Sequence, residues 1–120
     1  MPRLSCIALL LALAACNRPP QAAESGSPGN VRHGRTLVAE IGCGSCHSIP
    51  GVADAHGRVG PPLDAVAGRM FIAGVLPNTP ENMIRWLRTP QSVVPGNAMP
   101  NMELTDNDAR DIAAFLYTLR

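Results

Sequence analysis

The chain contains no lysine: all ten of its basic side chains are arginine, set against nine acidic ones in 120 residues. With charge so nearly balanced and no basic stripe, nothing in the composition suits a nucleic-acid surface, and long-range steering of a charged partner has little source. An alternating strand pattern is missing, as is any internal repeat, and helical signals dominate instead. One long apolar run stands out, Leu4–Ala15, and it is too short to cross a bilayer as a stable helix. Behind the short basic start Met1–Arg3 it reads as the core of an export signal.

The run ends in Leu13-Ala14-Ala15-Cys16, which resembles the bacterial lipobox, whose cysteine is acylated and becomes the first residue of the mature chain. On this reading residues 1–15 are a lipoprotein signal peptide, Cys6 leaves with it, and Cys16 is the lipidation site. An ordinary signal cleaved at the small residues, with Cys16 left as an odd thiol, is the alternative. Two or more acyl chains hold a protein firmly, so the expected location is the periplasmic or outer face of a bacterial membrane. Loss of the signal removes Arg3 and leaves nine arginines against nine acids. Residues 16–30 are rich in Pro, Gly, Ser, Ala and Gln without an apolar period, the composition of a flexible tether. Such a tether spans about 20 Å on average. Residues 31–120 then suit one small domain.

The remaining cysteines stand in Cys43-Gly44-Ser45-Cys46-His47, the attachment pattern of a c-type haem. Two thiols three positions apart can add to the two vinyl groups of one porphyrin, and the adjacent imidazole then falls beneath the iron as proximal ligand. The cofactor expected is one haem c, covalent through Cys43 and Cys46. A thioredoxin-like dithiol would want a βαβ context and a zinc site a further ligand pair. Neither is evident.

Helix signals organise the domain. A first helix is expected over Val31–Ile41, with Leu37, Val38 and Ile41 on its apolar side, stopping near Gly42. A short one is expected near Leu63–Ala67. A third starts at Thr79-Pro80-Glu81, an N-cap, a first-turn proline and an acid at the positive helix end, and stops before Pro90. The last begins at Thr105 with Asp108 three positions on, a capping-box variant. Its buried stripe is Ala109, Ile112, Ala113, Leu116 and Leu119, with Phe115 beside it.

From Gly34 to the C-terminus the order of motifs resembles the class I, mitochondrial-type cytochrome c family, which implies an all-α fold of about four helices around one haem. Gly60-Pro61-Pro62-Leu63 matches the family's Gly-Pro-x-Leu, where the proline carbonyl accepts the Nδ1 proton of the proximal histidine. Carried over, Pro61 orients His47. Gly68-Arg69 sits where the family has an arginine beside a haem propionate, a solvated Arg69 being the bland alternative. Pro95–Met99 resembles the family's ligand loop, making Met99 the sixth ligand and Met102 its competitor, while Met70 and Met83 read as core fillers. Trp86 takes the place of a tyrosine that lies against the haem. His33 and His56 read as surface residues. Phe115-Leu116 matches an aromatic-Leu pair whose aromatic packs on the first helix near Gly34, although Gly34 stands one residue further from the haem motif than in the mitochondrial form. Asn78-Thr79-Pro80-Glu81-Asn82, Trp86, Pro90 and Pro95-Gly96 resemble more closely the cytochrome domain fused to subunit II of some bacterial haem-copper oxidases. The chain has no copper-binding domain, which suggests a freestanding lipoprotein relative.

The expected function is an electron carrier cycling between Fe(III) and Fe(II) in a bacterial respiratory chain. Its expected partners are redox proteins, a terminal oxidase or a dehydrogenase, with the membrane reached through the lipid anchor. If Met99 does not ligate, an open iron that reduces peroxide or binds a small gas is the rival; an assembly subunit with incidental haem is a third reading. Without lysines, docking is expected to use an apolar patch including Ile49, Val52 and residues near Ala98, with Arg58 peripheral and tethering raising local concentration.

The lipobox generates a direct test. Cys16→Ser is expected to move the holoprotein from the membrane to the soluble fraction with its visible spectrum unchanged. Release of the unaltered protein by high salt alone would count against acylation.

Overall fold

Residues 28–120 are described by a computed structural model; the expected signal peptide, Cys6, Cys16 and most of the tether lie outside the described residues. The elements in order are α1 (Val31–Glu40), a 3₁₀ turn (Cys43–Ser45), a second (Val66–Gly68), β1 (Phe71–Ile72), β2 (Leu76–Pro77), α2 (Pro80–Arg88), α3 (Pro90–Val93) and α4 (Asp106–Leu116). About four helices were expected; the described residues hold four α-helices, three of them where expected, with α3 in addition and no α-helix near Leu63–Ala67.

Local chemistry sets the helix starts. The Asn30 side chain accepts from the His33 N–H at 3.0 Å and caps α1. Thr79 does the same for Asn82 at the head of α2, where Pro80 needs no donor and Glu81 meets the positive helix end. At α4 both arms of the capping box form: Asp108 N–H donates to Thr105 Oγ1 at 3.1 Å, and Thr105 N–H to the Asp108 carboxylate at 3.2 Å. Gly42, at φ +83°, ends α1 and turns the chain into the cysteine motif.

α1 and α2 both pack on α4. Val38 from α1, Met83 and Leu87 from α2, and Ile112 and Leu116 from α4 are all buried, forming the centre of the core. Each such side chain contributes about 1.5–3 kcal/mol on removal from water. The α1–α4 crossing depends on Gly34, which is buried. A methyl there would overlap the Asp111 carbonyl and lie 2.9 Å from Ile112 N. The crossing partner is thus the backbone at Asp111–Ile112, one turn before Phe115, which is itself buried. Asp111 locks the junction: one carboxylate oxygen accepts from Asn30 N–H at 2.6 Å and the other lies 2.7 Å from His33 Nδ1. His33 and His56 are both exposed, so His33 is a surface residue with a partner.

Several expectations change. Phe71 pairs with Pro77 and Ile72 with Leu76 in a small antiparallel ribbon that no strand pattern announced. Its turn, closed by Val75 N–H to the Ile72 carbonyl at 3.1 Å, has positive φ at both Ala73 and Gly74, the geometry of a type I′ turn. The short helix near Leu63–Ala67 is instead the 3₁₀ turn Val66–Gly68, because Ala65 adopts a left-handed φ of +52°. Met70 is no core filler: it is 80% exposed just ahead of β1, whereas Met83 is 3% exposed. Leu119 lies beyond the end of α4 and is only half-buried, though its carbonyl accepts from Ala67 N–H at 3.1 Å. α3 was not anticipated.

Gly34→Ala is expected to force α1 off α4 at a cost of about 1–3 kcal/mol, lowering the thermal midpoint by about 5–15 °C. Calorimetry or far-UV melting checks this; an unchanged midpoint would mean the crossing tolerates a side chain.

Candidate haem centre

The cysteine motif forms one tight turn. Ser45 N–H donates to the Gly42 carbonyl at 3.0 Å, and Cys46 and His47 N–H both donate to the Cys43 carbonyl, at 3.2 and 3.0 Å. The following loop then lies alongside it. Gly57, Gly60 and Leu63 N–H donate to the carbonyls of Gly44, Cys46 and Ser48 at 2.9, 2.8 and 2.8 Å. This register brings Pro61 beside His47, whose Nδ1 stands 2.7 Å from the Pro61 carbonyl. A carbonyl only accepts, so Nδ1 carries a proton, and in the neutral tautomer this bond selects the lone pair lies on Nε2. Gly60 makes room for the ring: a methyl there would lie 2.6 Å from Nδ1 and 2.8 Å from Nε2.

Above this turn is a cavity of about 310 Å³. Cys43, His47, Pro61, Arg69, Trp86 and Met99 all line it, among apolar walls from α1, α2 and α4. A smaller cavity of about 150 Å³ shares Cys43, His47 and Met99 and adds Cys46 and Met102. Met99 therefore faces both spaces that His47 faces, whereas Met102 reaches only the smaller. Trp86 is half-buried. The Arg69 guanidinium donates to the Pro62 carbonyl and, at 3.1 Å, to the Asp64 carbonyl. It is neither simply solvated nor free of the protein; it braces the loop that carries Pro61. Its own backbone is held in turn, because Asn78 Nδ2 donates to the carbonyls of Val66 and Arg69 at 2.9 and 2.8 Å while Asn78 Oδ1 accepts from Tyr117 Oη at 2.7 Å.

Cys43 and Cys46 form no disulfide among the described residues. Burial pushes the Cys43 thiol up, a backbone hydrogen bond partly opposes this, and neighbouring Cys46 raises it further. A dithiol nucleophile needs the opposite shift. Among the described residues no group of three or more His, Cys, Asp or Glu side chains is placed to hold a metal ion, which speaks against the zinc alternative. Two thiols, one imidazole with a free Nε2, one thioether and apolar walls are a donor set that fits a covalently bound haem.

The expected docking patch needs correction. Ile49 is 3% and Val52 9% exposed; both are core, since Ile49 N–H donates to the Ala55 carbonyl and folds this loop inward. Ala98 is exposed, and Val59, also exposed, lines both cavities with it. Three residues of the site escaped sequence reasoning. Asn78 positions the backbone of Arg69, and Gln91 and Asn97 hold the loop that carries Met99. An Asn next to Pro-Gly was the one available signal, since Asn side chains bond local backbone in turns.

The cytochrome c family model matches residues 31–120. The chain is similar to "Cytochrome c oxidase subunit 2" of Alkalihalophilus pseudofirmus, 35% identical over 91 residues, covering 75% of this chain and 26% of that protein. The protein of the same name from Bacillus sp. strain PS3 is 34% identical over 82 residues, 65% of this chain and 23% of the relative. That of Bacillus subtilis is 32% identical over 94 residues, 75% and 26% respectively. The chain thus spans about a quarter of the length of these relatives.

Gly60→Ala is expected to displace the His47 ring and cut the yield of holoprotein severalfold, because the overlap is with the imidazole itself. Gly68→Ala, which meets nothing within 4 Å, should leave the yield unchanged. Equal yields for the two variants, read from the haem absorbance, would remove Gly60 from this role.

Proposed function

This chain belongs to the cytochrome c family, and on that premise we propose that it shuttles single electrons between respiratory proteins from a lipid anchor at Cys16 on the periplasmic or outer face of a bacterial membrane. Family membership implies a covalently bound haem c, which supplies the Fe(III)/Fe(II) couple. Cys43 and Cys46 would carry the thioether links, and His47 and Met99 would hold the iron. The observation that carries this reading is the convergence of Cys43, His47 and Met99 on one apolar cavity, with Nδ1 of His47 committed to the Pro61 carbonyl.

Each residue has a physical task. The Pro61 carbonyl fixes the imidazole tautomer and strengthens Nε2 as a donor. A Met99 thioether as the second protein ligand would favour the ferrous state and raise the potential. Val38, Met83, Leu87 and Ile112 keep water from the site. Trp86 gives packing area on the same wall. Arg69 stiffens the Pro61 loop and leaves a cation near the cavity for a carboxylate. The acceptor we favour is a haem-copper oxidase, on the strength of the relatives named as oxidase subunit 2. With acids and arginines in balance, the encounter relies on tethering and on the exposed rim at Val59 and Ala98 more than on charge.

In the ferric protein a weak near-infrared sulfur-to-iron band and a low-spin spectrum are expected. Met99→Ala should abolish the band and Met102→Ala should keep it. The reverse pattern would reassign the ligand, and a high-spin wild-type spectrum would favour an open iron with peroxide or small-gas chemistry.

A further inference from the structure

The segment carrying Met99 lacks the backbone support seen around His47. Val94 N–H donates to the Pro90 carbonyl at 2.9 Å and Asn97 N–H to the Val94 carbonyl at 3.2 Å; among the described residues the next backbone pair is Ala109 to Thr105. Between them two primary amides hold the loop. Asn97 Oδ1 accepts from Met99 N–H at 2.7 Å, and Asn97 Nδ2 donates to the carbonyls of Val94 at 2.7 Å and Pro90 at 3.1 Å. Gln91 Nε2 donates to the carbonyls of Asn97 and Met99, both at 2.9 Å, and Gln91 Oε1 accepts from Gly96 N–H at 3.0 Å. Both amides use their oxygen for an N–H and their nitrogen for two carbonyls, so each has one orientation that satisfies it.

Met99 is therefore held on both sides of its Cα, its N–H by Asn97 and its carbonyl by Gln91. The anchor behind them is firm: Pro90, whose carbonyl receives Asn97, is among the most deeply buried residues of the domain. The short helix α3 places Gln91 one residue from that anchor.

We infer that Gln91 and Asn97 are positioning residues for the sixth ligand, a pair of amide clamps that hold the Met99 thioether against replacement. The inference rests on the reading of Met99 as an axial ligand. A thioether is neutral and, toward ferric iron, weak, so its residence depends on how little the loop gains by swinging away. The clamps act on that term. Removing one of them frees backbone groups that water can satisfy, and the released loop recovers conformational freedom.

The test is competition by imidazole for the ferric holoprotein, followed by loss of the near-infrared band. Gln91→Leu, which keeps the bulk and loses all three hydrogen bonds, is expected to bind imidazole about tenfold more tightly than wild type. Gln91→Glu keeps the acceptor for Gly96 and loses the donors, and should fall between the two. Asn97→Ala should match or exceed Gln91→Leu. Ser92→Ala, whose hydroxyl bonds only the Thr89 carbonyl, should match wild type, which separates the clamp from a general loosening of α3. Met99→Ala sets the ceiling. If Gln91→Leu stays within twofold of wild type while Met99→Ala binds much more tightly, the clamp is wrong and the ligand assignment stands. If Met99→Ala binds no more tightly than wild type, Met99 is not the group displaced, and both fall. Should Gln91→Leu fail to mature, Gln91→Glu decides by the same criterion.

Discussion

The contact on which the domain turns is the hydrogen bond from His47 Nδ1 to the Pro61 carbonyl. It does more than fix a tautomer, because reaching it requires the whole loop to be laid along the cysteine turn. Three N–H groups, from Gly57, Gly60 and Leu63, find the carbonyls of Gly44, Cys46 and Ser48, at alternate residues of the cysteine turn and its exit. Pro61 has no N–H to place, so its peptide can offer the carbonyl to the ring without leaving a donor unmet. Gly60 lets the ring approach. Arg69 then ties the same loop from its far side through the carbonyls of Pro62 and Asp64.

The helices keep that arrangement in register over a longer range. α1 delivers the cysteine turn through Gly42, and α1 is itself fixed on α4 by the backbone contact at Gly34 and by both oxygens of Asp111. The other end of α4 carries Tyr117, whose hydroxyl holds Asn78, which in turn holds the backbone of Arg69. One helix thus links the imidazole turn to the arginine brace through two separate routes. Burial raises the Tyr117 phenol above its usual range, with Glu81 adding to the shift, so this donor keeps its proton through neutral pH.

Features carried by local chemistry were legible in the sequence. The starts of α2 and α4 follow from residues close in the chain, where a proline or a capping side chain has one strong preference, whereas the Pro61 partner of His47 came from the resemblance of Gly60–Leu63 to a family motif. Cys43, His47, Pro61, Arg69, Trp86 and Met99 line one cavity. The ribbon was not legible, since two-residue strands show no alternation and its turn is Ala73-Gly74 rather than an Asn-Gly signal. α3 is a single turn, too short for periodicity. The burial of Ile49 and Val52 and the exposure of Met70 depend on which way a loop folds over the core. Gln91 and Asn97 act through side-chain bonds to backbone, and several polar residues in a loop could have played that part.

The two sides of the site are built from different materials. On the His47 side backbone bonds backbone, the ring is wedged over Gly60, and His47 directly follows Cys46 in the tight turn. Freeing it would mean opening the paired loop as a unit. On the Met99 side the loop has, among the described residues, few backbone bonds of its own, and an exposed Gln91 and a half-buried Asn97 hold Met99 through side-chain bonds, those of Gln91 open to competition by water. Local opening follows the weaker, more exposed bonds. On the proposed ligation, exchange of an axial ligand would therefore begin at Met99, and the inferred amide clamps would govern how often that opening occurs. The same division suits the proposed carrier role: a rigid donor would keep the geometry constant as the charge changes, while a held but replaceable thioether would let the sequence of one loop tune the potential without disturbing the fold.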